Sequence, residues 1–245
     1  MSTTVDLVVF GLGAPSKFSP SVLGSGVGGH AARIALEQGL SVRAVARNPD
    51  KYRSLYPEAL ELVQGDVTDR ASVAKCLEQA KACVFAVQAA DGTSAFEVDH
   101  LALVQVAEEC VRLNIKLVVI SSVYVSPKHW LNPVRAALNR MVKWGMMDAK
   151  WEGEQAVRKM AGLRYTIIRP GTLNDKGPLP NEYKVGQGDG LLFPALPIPK
   201  VDVGRIAVAA AVDPASDCLT LEVAGSSSKR PATVQNLFNG LKRGA

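Results

Sequence analysis

The chain of 245 residues is 47% hydrophobic and 21% charged, the balance of a folded globular protein, and its length fits one large domain. That composition excludes wholesale disorder, a collagen repeat and a disulfide scaffold, and no run of about eighteen apolar residues offers a transmembrane segment. Lys and Arg number 28 against 23 Asp and Glu, and a net charge of +5 without a recognised binding module does not predict nucleic-acid binding.

Cys76, Cys83, Cys110 and Cys218 are scattered, with no C-x-x-C pair and no clustered histidines, which predicts buried thiols and no metal site. The opening Met1-Ser-Thr-Thr-Val-Asp lacks a basic region followed by an apolar one, so no secretory signal is expected. The expected setting is soluble and reducing: cytoplasm, or an organelle stroma or matrix if a leader has been removed.

Strand-like runs then alternate with helical stretches. Leu7 to Phe10 reads as a strand, Gly29 to Gln38 as a helix closed by Gly39, and Val42 to Ala46 as a second strand. Leu60 to Val63, Cys83 to Val87 and Leu117 to Ile120 are three more strands. A long helix from Phe96 to Leu113 lies before the last of them. Pro133 to Met160 is largely helical, and Tyr165 to Ile168 is a sixth strand closed by Arg169-Pro170-Gly171. Asp175 to Lys200 is rich in Gly and Pro and reads as a long loop of the kind that forms lids or binding segments. Val203 to Val212 is helical, Leu219 to Val223 a last strand, and Val234 to Leu241 a terminal helix. Short β-branched strands in βαβα order, without a period of two, predict an α/β fold: a doubly wound, mainly parallel, Rossmann-like sheet. Residues 1–245 read as one such domain. Its dinucleotide-binding core is 1–125, and 126–245 completes the sheet and supplies a small C-terminal substrate-side region.

The glycines carry the first chemical signal. Gly24, Gly26 and Gly29 match G-x-G-x-x-G before a helix, but Pro20 to Leu23 makes a poor strand ahead of them. Gly11, directly after the first strand, serves better as the first glycine, with Gly26 and Gly29 as second and third. Leu12 to Ser25 then becomes an insertion, either a fold over a dinucleotide or an occupant of the diphosphate site. The plainer alternative is that these glycines only form a tight strand-to-helix connection. At the end of the second strand stands Arg47, where an NAD site usually has a carboxylate. With Lys51 its guanidinium suits a 2′-phosphate, so NADP(H) is favoured over NAD(H). The alternative is a solvated basic pair, and Asp50 lies close by. Asp66 can accept from an adenine amino group or cap the next helix, for which Asp69 is the better candidate.

In order, Gly11 with Gly26 and Gly29, Val42-Arg-Ala-Val-Ala-Arg47-Asn-Pro, and Gly65-Asp-Val-Thr-Asp69 resemble the atypical short-chain dehydrogenase/reductases, specifically their NmrA-like, NAD(P)-binding branch. Val118-Val-Ile-Ser121-Ser122, Ala149-Lys150-x-x-Gly-Glu154, Leu163-x-Tyr-Thr-Ile-Ile-Arg169-Pro-Gly and Asp202-Val203 are similar too. The resemblance runs from about Asp6 to Gly225. It implies that Gly11, Gly26 and Gly29 form the dinucleotide loop, with Arg47 and Lys51 at the adenosine phosphate. Asp66 and Val67 would then sit at the adenine and Ala86 and Val87 in the cofactor groove. Ser121 and Ser122 would lie near the nicotinamide, Lys150 on its ribose, and Pro170 and Gly171 beside it.

Short-chain reductases place a tyrosine four residues before the lysine, on one helix face, so that the ammonium lowers the phenol pKa for proton transfer. Here that residue is Met146, whose thioether cannot do this. Tyr124 and Lys128 have the right spacing, but Pro127 opposes helix there; Tyr124 can still reach a pocket from its loop. Asp148 is either a proton carrier or a surface carboxylate, and Lys150 with Glu154 forms an i,i+4 pair. Lys150 and Ser122 are the candidate catalytic residues.

Trp130, Trp144 and Trp151 fall in one basic stretch, with Trp144 and Trp151 two helical turns apart and so on one face. They close a substrate pocket, present a protein-partner or membrane patch, or pack the helix on the sheet. Two functions stay open. One is an NADP(H)-dependent oxidoreductase passing hydride to a small organic acceptor without the usual tyrosine. The other is a non-catalytic dinucleotide-binding redox sensor, assembly factor or subunit of a larger complex.

Overall fold

A computed structural model describes residues 4–14, 22–89, 92–142, 144–178, 182–191, 196–227, 230 and 233–244. In chain order it shows β1 (Val5–Phe10), α1 (Val27–Glu37), β2 (Val42–Ala46), β3 (Glu61–Gln64), α2 (Arg70–Leu77) and β4 (Ala80–Phe85). A wide π turn (Phe96–Ala102) runs into α3 (Leu103–Arg112), followed by β5 (Lys116–Ile120), α4 (Pro133–Ala137) and α5 (Met146–Lys159). The rest comprises β6 (Tyr165–Pro170), β7 (Leu173–Asn174), β8 (Tyr183–Gly186), β9 (Ile198–Pro199), α6 (Lys200–Val212) and β10 (Leu219–Gly225).

The main sheet has the order β3-β2-β1-β4-β5-β6-β10-β8, parallel throughout except for β8. Strand order therefore reverses between β1 and β4, and a crevice opens at their carboxyl ends, where doubly wound sheets bind ligands. One face buries Leu7, Val9, Val118 and Ile168 under α1 and α6. The other buries Val8, Phe10, Leu117 and Ile167 with residues of α2, α3 and α5. Both faces being dry explains why the strands read as continuous apolar runs rather than alternating ones. Small residues let α1 and α6 meet closely: a Cβ on Gly204 would lie 2.9 Å from the Ala31 nitrogen.

Several expectations need correction. Pro133 to Met160 is largely helical as expected, but not as one continuous face, because α4 widens into a π turn (Leu138–Val142) and Gly145 takes φ +73° before α5 begins. Trp144 thus precedes α5 and shares no helix face with Trp151. The long loop from Asp175 to Lys200 contains two strands, β8 on the sheet edge and β9 paired with β7. Val234 to Leu241 forms successive turns rather than a helix, with Asn236 and Gly240 at positive φ. The tip of the Leu12 to Ser25 insertion, residues 15–21, lies outside the described residues. Among the described residues no helix is long and apolar enough to cross a membrane, and no cluster of His, Cys, Asp or Glu could hold a metal.

Candidate functional site

The glycine turn closes despite its insertion. The Gly24 N–H donates to the Gly13 carbonyl at 2.9 Å and the Gly26 N–H to the Leu12 carbonyl at 3.1 Å, so the inserted peptide leaves and returns through one neck. Arg33 Nη1 and the Tyr56 hydroxyl donate to the Gly24 carbonyl at 2.7 and 2.9 Å, holding the neck against α1 and the turns after β2. A Cβ on Gly28 would lie 2.3 Å from the Gly11 carbonyl oxygen, and one on Gly29 2.6 Å from that of Leu12. The predicted Gly11, Gly26 and Gly29 are thus brought together, joined by Gly13 and Gly28, which sequence reasoning passed over. Gly11 itself takes φ +92°, and a Cβ there would sit 2.4 Å from the Ala86 carbonyl oxygen. That close approach welds the end of β1 to the residues following β4, Ala86 and Val87, which lie just past the strand rather than in it.

Such glycines are required by the chain's own backbone, but the result also fits a diphosphate. The N-cap of α1, Gly26, offers no side-chain cap and its first turn holds no acidic residue, a helix terminus of the kind that suits an anion.

Beyond β2 and β3 lies an open cleft of about 590 Å³ lined by Arg47, Gln64, Gly65, Asp66, Asp69, Ser72 and Lys75 among others. Arg47 is exposed, and its carbonyl accepts from Gln64 Nε2 at 3.3 Å. Asp50, the carboxylate close to it in sequence, pairs instead with Arg53 at 3.3 Å. The second cation of the cleft is Lys75 on α2, three residues after Ser72; Lys51 is not among the lining residues. One Asp66 carboxylate oxygen accepts from the Thr68 amide and hydroxyl at 2.9 and 2.8 Å, while Asp69 caps α2 through the Ala71 amide. Val67 is buried, and its carbonyl accepts from Gln105 Nε2 at 3.1 Å.

The other end of the crevice centres on Lys150. Its ammonium donates to Asp99 Oδ1 at 2.6 Å, and the pair is 11% and 1% exposed. The expected Lys150–Glu154 pair therefore does not form. Glycine makes the observed one: a Cβ on Gly153 would stand 2.6 Å from the Asp99 carbonyl oxygen, so only glycine lets α5 approach the π turn this closely. Asp99 lies outside the sequence-derived list, although Val98-Asp99 opens the predicted long helix. Lys150, Asp99, Ser121 and Phe85 border a cavity of about 10 Å³, room for one water at most. The Ser121 hydroxyl is buried beside it with no hydrogen-bond partner. A buried orphan hydroxyl costs about 1–3 kcal/mol, and such groups are retained where a ligand or water satisfies them. Ser122 is half-buried. Pro170 accepts from the Val123 amide at 3.1 Å, and the Gly171 amide donates to Val223 at 2.8 Å, which stitches the ends of β5, β6 and β10 together.

The substitute proton carriers fare differently. Tyr124 is buried at φ +63° with its ring edge against His129, in a loop leading to a 3-10 turn over Pro127–His129, so it and Lys128 share no α-helix face. Burial raises the Asp148 pKa, but hydrogen bonds from Asn139 and Arg135 outweigh that and hold the carboxyl below its ordinary value. Asp148 is thus an ionised anchor of the α4–α5 corner. Met146 is buried, its thioether accepting from Gln88 Nε2 at 3.5 Å. Trp151 is half-buried, with the Arg158 and Arg169 guanidinium carbons each 5.7 Å from its ring centre, whereas Trp130 and Trp144 are exposed.

Known proteins resemble this chain in sequence family and in fold. Residues 24–214 match the model of the NAD(P)H-binding family. An uncharacterized chloroplastic protein of Arabidopsis thaliana is 26% identical over 219 residues, covering 84% of this chain and 76% of that protein. Among solved structures, an oxidoreductase from Lactococcus lactis superposes with a TM-score of 0.74 at 17% identity, covering 96% of each chain. An anaerobillin reductase from Escherichia coli O157:H7 gives 0.71 at 21% identity, over 92% of this chain and 99% of the other. A short-chain dehydrogenase/reductase from Veillonella parvula in complex with NADP gives 0.67 at 13% identity, over 94% and 99%. At these identities the structures establish a shared fold.

Proposed function

The chain belongs to the NAD(P)H-binding family, and from that membership we propose that it is an NADP(H)-dependent reductase acting on a small organic acceptor. The observation that carries the cofactor preference is Arg47 at the lip of the cleft beyond β2, with Lys75 on its wall and Asp50 turned to Arg53. A guanidinium and an ammonium there favour a 2′-phosphate, and no residue at the end of β2 offers the carboxylate that a ribose diol prefers.

The bound dinucleotide would supply a hydride. Gly11, Gly26 and Gly29 would flank its diphosphate, Arg47 and Lys75 its adenosine phosphate, Asp66 its adenine, and Lys150 and Ser121 its nicotinamide end. Lys150 has three donors and spends one on Asp99, which fixes its position and leaves others for ribose hydroxyls. Ser121 directs a hydroxyl at the same place. With Met146 where a tyrosine would stand, the proton comes from water or from a group other than a phenol on α5.

Fluorescence titration with NADPH and NADH tests the reading. Wild type should bind NADPH more tightly. Arg47→Ala should weaken NADPH about tenfold, one charge-assisted contact's worth, and leave NADH within about twofold. Tighter binding of NADH would sink the assignment of Arg47. Turnover is tested by following NADPH oxidation with quinones and aldehydes. Tight NADPH binding with no oxidation by any acceptor would favour the non-catalytic sensor or subunit over the reductase.

A further inference from the structure

The segment joining β5 to α5 has a composition that its packing does not explain. No Asp or Glu occurs between Glu109 and Asp148, while Lys128, Arg135, Arg140 and Lys143 lie within sixteen residues. In that same stretch stand Trp130, Leu131 and Trp144, at 68%, 76% and 76% exposure, with Val134 also exposed. Two tryptophans this open are costly for a surface that meets only water.

The segment is held as a unit. Asn132 caps α4 through the Val134 amide at 2.8 Å, and Arg135 turns inward to Asp148. The Gly145 amide donates to the Asn139 carbonyl at 3.0 Å and the Met147 amide to Asn139 Oδ1 at 2.8 Å, fixing the far end. Pro133, Val134, Ala136 and Arg140 are exposed, whereas Arg135 is buried and Ala137, Leu138 and Asn139 are half-buried, so the short helix is amphipathic. Ten helical residues from Pro133 to Val142 span about 15 Å, which puts Trp130 and Leu131 at one end and Trp144 at the other. Arg140 lies over the Trp144 ring, 6.0 Å from its centre, and Lys128 is exposed two residues before Trp130.

We propose that this strip docks the protein on a membrane surface carrying anionic lipid headgroups. The chemistry matches on three counts. Tryptophan prefers the headgroup level, where its ring is shielded and its N–H finds a partner. Leu131 and Val134 supply aliphatic surface for the acyl boundary. Arg140 and Lys128 have long stems beside the aromatic groups and cationic ends for phosphate; the Lys128 ammonium, 3.8 Å from Asp189, stays exposed. The proposal is independent of cofactor preference and of turnover.

The test uses the full chain and sedimentation with vesicles of phosphatidylcholine alone or mixed with phosphatidylglycerol. The chain should bind the mixed vesicles, with a blue shift of tryptophan emission, and should be released by roughly 0.5 M salt, where screening is nearly complete. The double variant Trp130→Ala, Trp144→Ala should lower the partition coefficient roughly tenfold or more. Arg140→Gln should lower it about fivefold, the effect of one cation near an anionic surface. A thermal melt and NADPH titration of each variant show whether the fold is intact, since neither tryptophan touches the candidate site. Four results would overturn the proposal: no binding to mixed vesicles at low salt, equal binding to neutral ones, binding untouched by the double variant, or a wild-type dimer that the double variant dissociates. The last would make a second copy of the chain the occupant. Failure to bind vesicles together with retention of an acidic protein through the same tryptophans would make that protein the occupant.

Discussion

Two ion pairs lie one helical turn apart on α5, and their surroundings assign them different work. Glu154 accepts from Arg169 through Nη2 at 2.6 Å and Nε at 3.0 Å, and Arg158 donates to it at 3.0 Å. Arg169 also donates to Asp189 at 2.9 Å and lies 3.8 Å from Glu222, so one guanidinium serves the buried Glu154 and Glu222 and the half-buried Asp189. Burial opposes that charge, but Glu154, Asp189 and Glu222 outweigh it and raise the Arg169 pKa. Lys150, by contrast, has a single carboxylate, Asp99, and an orphan hydroxyl and a water-sized cavity beside it. The saturated cluster clamps α5 to β6 and β10. The unsaturated pair keeps donors for something that is not protein.

The largest effect should come from breaking the clamp. Arg169→Met leaves Glu154 with Arg158 alone, Glu222 without its cation and Asp189 with only the more distant Lys128 and His129, and we expect a loss of about 3–5 kcal/mol in urea unfolding. Whatever fraction stays folded should bind NADPH as wild type does. Lys150→Met should show the reverse pattern: a smaller loss of about 2–3 kcal/mol, since it leaves one buried carboxylate, Asp99, without its cation rather than a whole cluster, but a weaker NADPH complex. If Arg169→Met weakened the NADPH complex in its folded fraction and Lys150→Met did not, the division of labour would be wrong.

Gly153→Ala tests both pairs at once, because it forces α5 away from the π turn. Its Cβ would meet backbone at 2.6 Å, which cannot swing aside as a side chain could, so about 1–3 kcal/mol should be lost. The Lys150–Asp99 contact should lengthen and NADPH binding fall, although neither charged residue is altered. Unchanged binding at lowered stability would show that Lys150 is not positioned by that contact.

The contrast also marks what the sequence can disclose. The inner strands from Leu7 to Ile120 were legible because they are short apolar runs buried on both faces, and such a run looks the same in any parallel sheet; the outer strand β3, half-exposed, offered only Leu62 and Val63. The position of Arg47 at the cleft was legible because the end of β2 is a fixed place in the crossover. The partner of Lys150 was not, because Asp99 is 51 residues away and only the packing of two helices at Gly153 joins them. The i,i+4 spacing of Lys150 and Glu154 instead suggested a pair that tertiary contacts redirect. The break at Gly145 was hidden likewise, since the apolar spacing continues through it and only the positive φ stops the helix. The terminal stretch from Val234 failed for the opposite reason: its spacing is helical, but Asn236 and Gly240 adopt left-handed backbone that no helix continues.

The smallest effect concerns the neck of the inserted loop, the part of the dinucleotide half that sequence reasoning left open as a fold over the cofactor or an occupant of its site. Burial pushes the Tyr56 phenol up to about 12, against the pull of Arg33, and its hydroxyl donates to the Gly24 carbonyl. A phenol whose folded pKa exceeds its unfolded value near 10 contributes fully below pH 10. That contribution is lost as pH climbs toward 12, because the unfolded chain ionises first. Tyr56→Phe should therefore cost about 1 kcal/mol at about pH 8, the net worth of one hydrogen bond, and that deficit should vanish by about pH 11. Urea melts of both chains at the two pH values decide it. A deficit that stayed constant would mean that the neck is not held by a buried, protonated Tyr56.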